Sequence, residues 1–130
     1  MIQDKDFTLR LIRQLSQALE KLLLGKPEES LMQKELDFDS LMKDIFKMDF
    51  AELSLKSKEE IIEMVKLRES KDHADYYEML GNVFMFHFRT EGQLDFSEKA
   101  KSFYELYLTT SGIFALPIVN RINELTSVLK

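Results

Sequence analysis

Apolar residues recur every three or four positions along most of the chain, which is the period of an α-helix. The first such stripe predicts a helix from about Asp6 to Leu24, with a polar opposite face. Gly25 and Pro27 predict its end, because glycine tolerates a left-handed cap and proline cannot continue a helix. The apolar positions of this helix are Leu11, Ile12, Leu15, Ala18, Leu19, Leu22 and Leu23.

The middle of the chain predicts two further helices that are separated by a connector. The second helix is expected to begin near Pro27 and to reach Phe46, with a kink or break near Asp37–Asp39, where the apolar phase slips. Residues 48–55 predict a short connector that buries its apolar side chains, namely Phe50, Leu53 and Leu55. The third helix begins at Ser57, since Glu60 follows at capping-box spacing. Its expected buried side chains are Ile61, Ile62, Val65 and Met64.

Three more helices are predicted in the second half of the chain. The fourth runs from about His73 to Thr90 with Asp72 as its cap, and a turn at residues 91–93 leads to the fifth. The fifth opens at residues 95–98 and ends at Gly112, and the sixth begins near Leu116 with proline in its first turn. We therefore predict a single all-α domain over residues 1–130. It has about six helices in antiparallel hairpins, arranged either as a right-handed helical array or as an irregular bundle.

Composition excludes several classes of function. The formal net charge of −5 disfavours binding to a phosphate backbone, so no nucleic-acid partner is expected. The chain has no cysteine, and no apolar run is long enough to cross a membrane. Its first residues mix charges and lack the apolar core of a signal peptide, so we expect a cytoplasmic protein.

A pattern in the second half resembles the tetratricopeptide repeat. It consists of an aromatic residue, a Leu-Gly pair and a second aromatic on one helix, then a small residue and an aromatic on the next: Tyr77, Leu80, Gly81, Phe84, Ala100 and Tyr104. The small residues Gly81 and Ala100 would let the two helices approach closely. Their separation is about seven positions wider than in the family, so residues 72–130 resemble a lengthened repeat followed by a capping helix. The first half resembles small bacterial helical proteins of uncharacterised function.

This resemblance implies a protein-binding scaffold with a concave groove. In such repeats the position of Asn82 points into the groove, where its amide could bond a partner's backbone. Some repeats of this family clamp a carboxylate with a lysine where this chain has Glu78, so a clamp is not expected here. The residues predicted to contact a protein or peptide partner are Glu78, Asn82, Met85 and Arg121.

The methionine and phenylalanine stripe of the fourth helix leaves more than one interpretation open: Met79, Phe84, Met85, Phe86 and Phe88. Periodic apolar residues usually form core, but such side chains also line peptide grooves. A surplus of them in a small domain can mark a homodimer face. The alternative function is therefore a helical protein that binds a small apolar ligand in an aromatic-lined cavity.

Candidate chemistry is sparse. His73 and His87 are the only histidines, and one helix cannot bring side chains so far apart to a single metal ion. His87 lies between Phe86 and Phe88, which is typical of a histidine at the edge of a core. We predict no catalytic residue, metal or cofactor. The favoured function is a non-enzymatic protein–protein interaction or scaffold module.

Overall fold

The computed structural model describes residues 2–25 and 38–129, with side chains from residue 7 onward. This described part contains seven α-helices and no β-strand, so the all-α prediction is confirmed. The helices are α1 Ile2–Leu23, α2 Phe38–Phe46, α3 Phe50–Ser54, α4 Lys58–Lys66, α5 His73–Glu91, α6 Leu94–Ser111 and α7 Leu116–Val128, with a 3₁₀ turn at Ser70–Asp72.

Helix α5 is the centre of the molecule, because it is buried over most of its length. Helix α1 lies beside it and runs in the same direction: Arg13 pairs with Asp75, and Arg89 donates to the carbonyl oxygen of Leu23. The predicted stripe of α1 faces this contact, and Leu11, Ile12, Leu15, Ala18 and Leu19 are buried. Leu22 and Leu23 pack at the edge of the core.

Helices α5 and α6 form an antiparallel hairpin with the most extensive interhelical contact in the described structure. Gly92 ends α5 in the left-handed conformation (φ 77°) and donates to the carbonyl oxygen of Phe88, as its place in the predicted turn requires. At Gly81 the ring of Tyr104 lies where a β-carbon would be. Gly81 thus makes room for a side chain of α6 at this contact.

Helix α7 returns along α6 and completes a group of four helices. The Arg121 guanidinium lies 5.9 Å from the ring centroid of Tyr104 on α6 and donates to Asn82 on α5. Glu20 on α1 receives two hydrogen bonds from the same guanidinium. Four helices thus meet at one polar point inside the molecule.

Helices α2 to α4 cover the other side of the α5–α6 hairpin. The ring of Phe50 on α3 packs against those of Phe84 and Phe96, with both ring centroids 5.3 Å away. Buried Lys99 on α6 donates to the carbonyl oxygen of Ser54, which ties α3 to the hairpin. The predicted connector over residues 48–55 therefore contains a short helix, α3, which the prediction of about six helices did not include.

Two local predictions in this region were wrong. Leu55, which was expected to be buried, is 87% exposed, because it follows the last turn of α3 on the side away from Phe50 and Leu53. Asp72 makes no side-chain cap for α5, because its own backbone is helical and the 3₁₀ turn continues directly into the helix.

Other local predictions are confirmed in part. Ser57 and Glu60 form the predicted capping box at the start of α4, with both side chains bonded to backbone N–H groups. Ile61 and Val65 are buried, whereas Ile62 and Met64 lie at the edge of the core. The described part of the predicted second helix is α2. Its predicted start at Pro27 and the first residue of the predicted break, Asp37, lie outside the described residues.

Candidate functional site

The residues predicted to contact a partner lie along one face of α5 and on the adjoining part of α7. Asn82 and Met85 are fully buried, Arg121 is only 4% exposed, and Glu78 is half-buried. The structure therefore corrects the expectation that Asn82 faces an open groove. Helix α1 covers this face of α5, so the Asn82 amide is not accessible to a partner in this conformation.

Both the nitrogen and the oxygen of the Asn82 side-chain amide form hydrogen bonds inside the protein. Its Nδ2 donates to the backbone carbonyl oxygen and to Oγ of Ser16, at 3.2 Å each. Its Oδ1 accepts from Tyr104 Oη at 2.7 Å and from Arg121 Nη1 at 3.3 Å. The backbone bond that was expected with a partner is thus made with the chain's own α1, and the amide specifies how the helices pack.

Arg121 and Arg89 connect α1 to α7 where both helices pack beside α5. Arg121 makes a two-pronged contact with Glu20, with nitrogen–oxygen distances of 2.8 and 2.6 Å. Arg89 donates to the carbonyl oxygen of Leu23 and to Glu124, at 2.9 Å each. Because a planar guanidinium holds two acceptors in fixed geometry, these contacts set the position of α1 relative to α7.

Burial raises the pKa of two ionisable groups near the contact between α1 and α7. Burial raises the pKa of the Glu78 carboxyl, the neighbouring Glu20 and Asp75 add to the rise, and Arg121 offsets part of it. Burial also raises the pKa of the Tyr104 hydroxyl well above its usual range. Tyr104 therefore stays neutral at physiological pH and donates its proton to Asn82, which is a structural role.

The aromatic stripe of α5 is core in the described structure. Met79, Phe84 and Met85 are fully buried, while Phe86 and Phe88 pack at the edge. The rings of Phe96 and Phe103 on α6 each lie 5.8 Å from that of Phe84. These rings fill the space between α5 and α6.

His87 is enclosed by aromatic rings at the junction of α2, α3, α5 and α6. Its ring stacks on Phe50 with a centroid distance of 3.7 Å and an interplanar angle of 8°. Nδ1 lies 3.1 Å from Glu91, whereas the buried Nε2 has no hydrogen-bond partner. Burial lowers the pKa of the imidazole, and Glu91 and Asp39 offset part of this effect. His87 is thus a neutral core-edge histidine near pH 7.

A solvent-facing cleft of about 640 Å³ opens elsewhere on the molecule, and we call it the α1–α4 cleft. Its walls come from the first turns of α1, the end of α2, the chain after α4 and the start of α5: Phe7 and Leu9, Asp44 and Lys47, Leu67 and Arg68 with Asp72, and Tyr76. Its volume lies within the range of about 300–1,000 Å³ that is usual for binding sites in proteins.

The α1–α4 cleft exposes apolar side chains at its edge. Phe7 is 52% exposed and Leu67 is 87% exposed, although Ile12 at the back of the cleft is buried. Leu67 has an equivalent elsewhere: Leu55 also follows a short helix and is also 87% exposed, but it does not line the cleft. The pair offers a matched comparison of one leucine inside the cleft with one outside it.

The charged side chains of the α1–α4 cleft differ in whether they have hydrogen-bond, ion-pair or aromatic-ring partners within the protein. The Lys47 ammonium lies 3.4 Å from the carbonyl oxygen of Asp44, and the Arg68 guanidinium lies 5.8 Å from the ring centroid of Tyr76. The carboxylates of Asp44 and Asp72 form no hydrogen bond or ion pair with the residues that the structure describes. Burial raises the pKa of Tyr76, Arg68 lowers it and Asp72 adds to the rise.

Lys47 has an unusual backbone for its residue type. Its φ is 63°, in the left-handed region, where it ends α2 and donates to the carbonyl oxygen of Lys43 at 2.8 Å. Glycine is the usual residue at such a helix end, because a β-carbon is strained there by about 1–2 kcal/mol. Lys47 therefore has a strained backbone conformation at a position that lines the cleft.

Sequence reasoning missed the cleft, although one signal was present. Leu67 falls two positions after buried Val65, so it lies off the apolar stripe of α4 and must point away from the core. Leu55 lies off its stripe in the same way, so this signal identifies exposure and not a site. The apolar residues of the α6–α7 connection are exposed as well, namely Ile113, Phe114 and Leu116.

Comparison of the chain with protein-family models, curated proteins and solved structures finds no match. Within residues 2–25 and 38–129, no helix combines the length and apolar character needed to cross a membrane. In the same part of the chain, no group of three or more histidine or acidic side chains is arranged to hold a metal ion.

Proposed function

We propose that the protein is a non-enzymatic interaction module that binds a segment of a partner protein in the α1–α4 cleft. The observation that carries this proposal is the exposure of Leu67 and Phe7 beside charged side chains in a concave site. Exposed apolar side chains beside polar groups in a concave site are features that protein-binding sites share.

The location of the ionisable groups supports a binding role over a catalytic one. The rings of His73 and His87 bond to the carbonyl oxygen of Arg68 and to Glu91, and neither bonds to a hydroxyl that it could activate. Arg121 and Glu20 hold helices together. The alternative of a small apolar ligand between α5 and α6 is less well supported, because the rings of Phe84 and Phe103 are stacked there.

The proposal places the protein in the cytoplasm and includes no cofactor and no nucleic-acid partner. The cysteine-free chain suits a reducing compartment, and its net charge of −5 repels nucleic acid. Self-association through the same cleft is one outcome that the following experiment detects.

The test is site-specific photo-crosslinking. A photoreactive amino acid replaces Leu67 in one variant and Leu55 in the other, and crosslinked proteins from the source cells are identified by mass spectrometry. We expect a defined product from position 67 that position 55 does not give. The identified partner is then purified, and its binding is measured by calorimetry with wild-type protein, Leu67→Ser and Leu55→Ser.

We expect Leu67→Ser to weaken binding at least tenfold and Leu55→Ser to change it less than twofold. Both leucines are 87% exposed, so neither substitution removes a core side chain. Equal effects of the two substitutions on affinity would show that the cleft is not the binding site. A crosslinked product with the mass of two copies of this chain would identify self-association.

A further inference from the structure

Two acidic side chains of the α1–α4 cleft, Asp44 and Asp72, have carboxylates without a partner among the described residues. The third acidic side chain that lines the cleft, Glu69, pairs with Lys71 at 3.9 Å, and the cleft also has two basic side chains, Lys47 and Arg68. The basic groups already have internal contacts, since Lys47 reaches a backbone carbonyl oxygen and Arg68 lies over the ring of Tyr76. The carboxylates of Asp44 and Asp72, in contrast, have no hydrogen-bond or ion-pair partner in the described part of the chain.

The electrostatic field of the whole protein also favours a cationic partner. The formal net charge of the chain is −5, so an approaching cationic segment is attracted and an anionic one is repelled. A carboxylate that is left unpaired at an apolar cleft gains most from a partner that supplies a cation next to an apolar side chain.

From this charge distribution we infer that the α1–α4 cleft accepts a basic amphipathic segment of a partner protein, with an apolar residue against Leu67 and Phe7 and lysine or arginine side chains at Asp44 and Asp72. This inference rests on the proposed function, because it names the chemistry of the partner for the same cleft. It makes two separable claims: that Leu67 provides apolar contact, and that the two aspartates select positive charge.

Three labelled probe peptides separate these claims. The first carries leucines at helical spacing with lysines between them, the second has glutamate in place of each lysine, and the third keeps the lysines but has serine in place of each leucine. Affinities are measured by fluorescence anisotropy. We expect the leucine–lysine peptide to bind at least about tenfold more tightly than either of the others and to weaken as salt is added.

Substitutions in the protein assign the binding to the cleft. Asp44→Asn with Asp72→Asn should reduce the preference for lysine over glutamate from about tenfold to less than twofold. The control, Glu59→Gln with Glu98→Gln, removes two exposed acidic groups outside the cleft and should leave the preference unchanged. Leu67→Ser should weaken the leucine–lysine peptide at least tenfold, while Leu55→Ser should not.

The possible outcomes are distinguishable. If the leucine–glutamate peptide binds as tightly as the leucine–lysine peptide, and Leu67→Ser weakens both, the cleft binds peptides but the charge inference is wrong. If the leucine–lysine peptide binds and Leu67→Ser has no effect, the cleft itself is not the binding site. If no peptide binds, the inference that a basic amphipathic segment suffices is overturned, and the crosslinking experiment decides the proposed function separately.

Discussion

Replacing Gly81 by alanine tests the packing of α5 on α6 with a single methyl group. A β-carbon at this position would lie 2.5 Å from Cδ1 and 2.6 Å from Cε1 of Tyr104. Carbon atoms pack best at about 3.5–4.0 Å, so the ring and the methyl group must separate by about 1 Å. Tyr104 is fully buried, and its hydroxyl is held by Asn82 at 2.7 Å, so the ring cannot move without losing that bond.

Two opposing effects set the size of the change. Alanine in a helix interior gains about 1 kcal/mol over glycine. Overpacking in a tight core costs about 1–3 kcal/mol, and weakening the buried bond between Tyr104 and Asn82 adds about 1 kcal/mol or more. We therefore expect Gly81→Ala to lower the free energy of unfolding by about 1–3 kcal/mol, and Gly81→Leu to lower it further.

The assay is chemical denaturation followed by far-ultraviolet circular dichroism, with the thermal midpoint as a second reading. The expected loss corresponds to a fall in Tm of about 4–11 °C. Tyr104→Phe supplies the control, because it frees the ring from Asn82, so alanine at position 81 should cost less in that background. A Gly81→Ala protein that is more stable than wild type would show that the space beside Gly81 is open in solution and would refute this packing.

Three further predictions concern buried or strained groups. Asn82→Ala should lower the free energy of unfolding by about 2–4 kcal/mol in the same denaturation assay, because it leaves Tyr104 and other buried groups unpaired; an unchanged Tm would contradict the buried network. The pKa of His87 is lowered by burial, so its neutral form contributes stability above pH 6.5 that is lost as the pH falls through the folded-state pKa. The excess stability of wild type over His87→Phe should therefore be smaller at pH 5.5 than at pH 7.5, and a pH-independent difference would refute this. Lys47→Gly should raise the free energy of unfolding by about 1 kcal/mol by relieving the left-handed strain, whereas Lys47→Ala should give no such gain.

The sequence predicted those features of the fold that depend on local chemistry. Ser57 and Glu60 form the expected capping box, because both partners lie within one turn of the chain. Gly92 and Gly112 end helices in the left-handed conformation, as their positions after apolar stripes indicated. Gly81, a glycine inside an apolar stripe, makes room for the Tyr104 ring from the next helix.

Long-range packing was not predictable in the same way. The burial of Asn82 depends on Ser16, Tyr104 and Arg121, which come from three other helices. The pattern of apolar residues within α5 does not indicate that α1 covers the face of α5 that carries Asn82. The α1–α4 cleft likewise combines short pieces of four segments, so none of its residues forms a motif along the chain.

The most direct test of the proposed binding cleft is a titration of isotope-labelled protein with the leucine–lysine peptide, followed by backbone amide NMR. We predict that shifts concentrate at residues 7–12, 44–47 and 67–76, which surround the α1–α4 cleft. In the Leu67→Ser protein the same shifts should require at least about tenfold more peptide. Shifts centred instead on the other exposed apolar surface, at residues 113–116, would contradict the assignment of the cleft as the binding site.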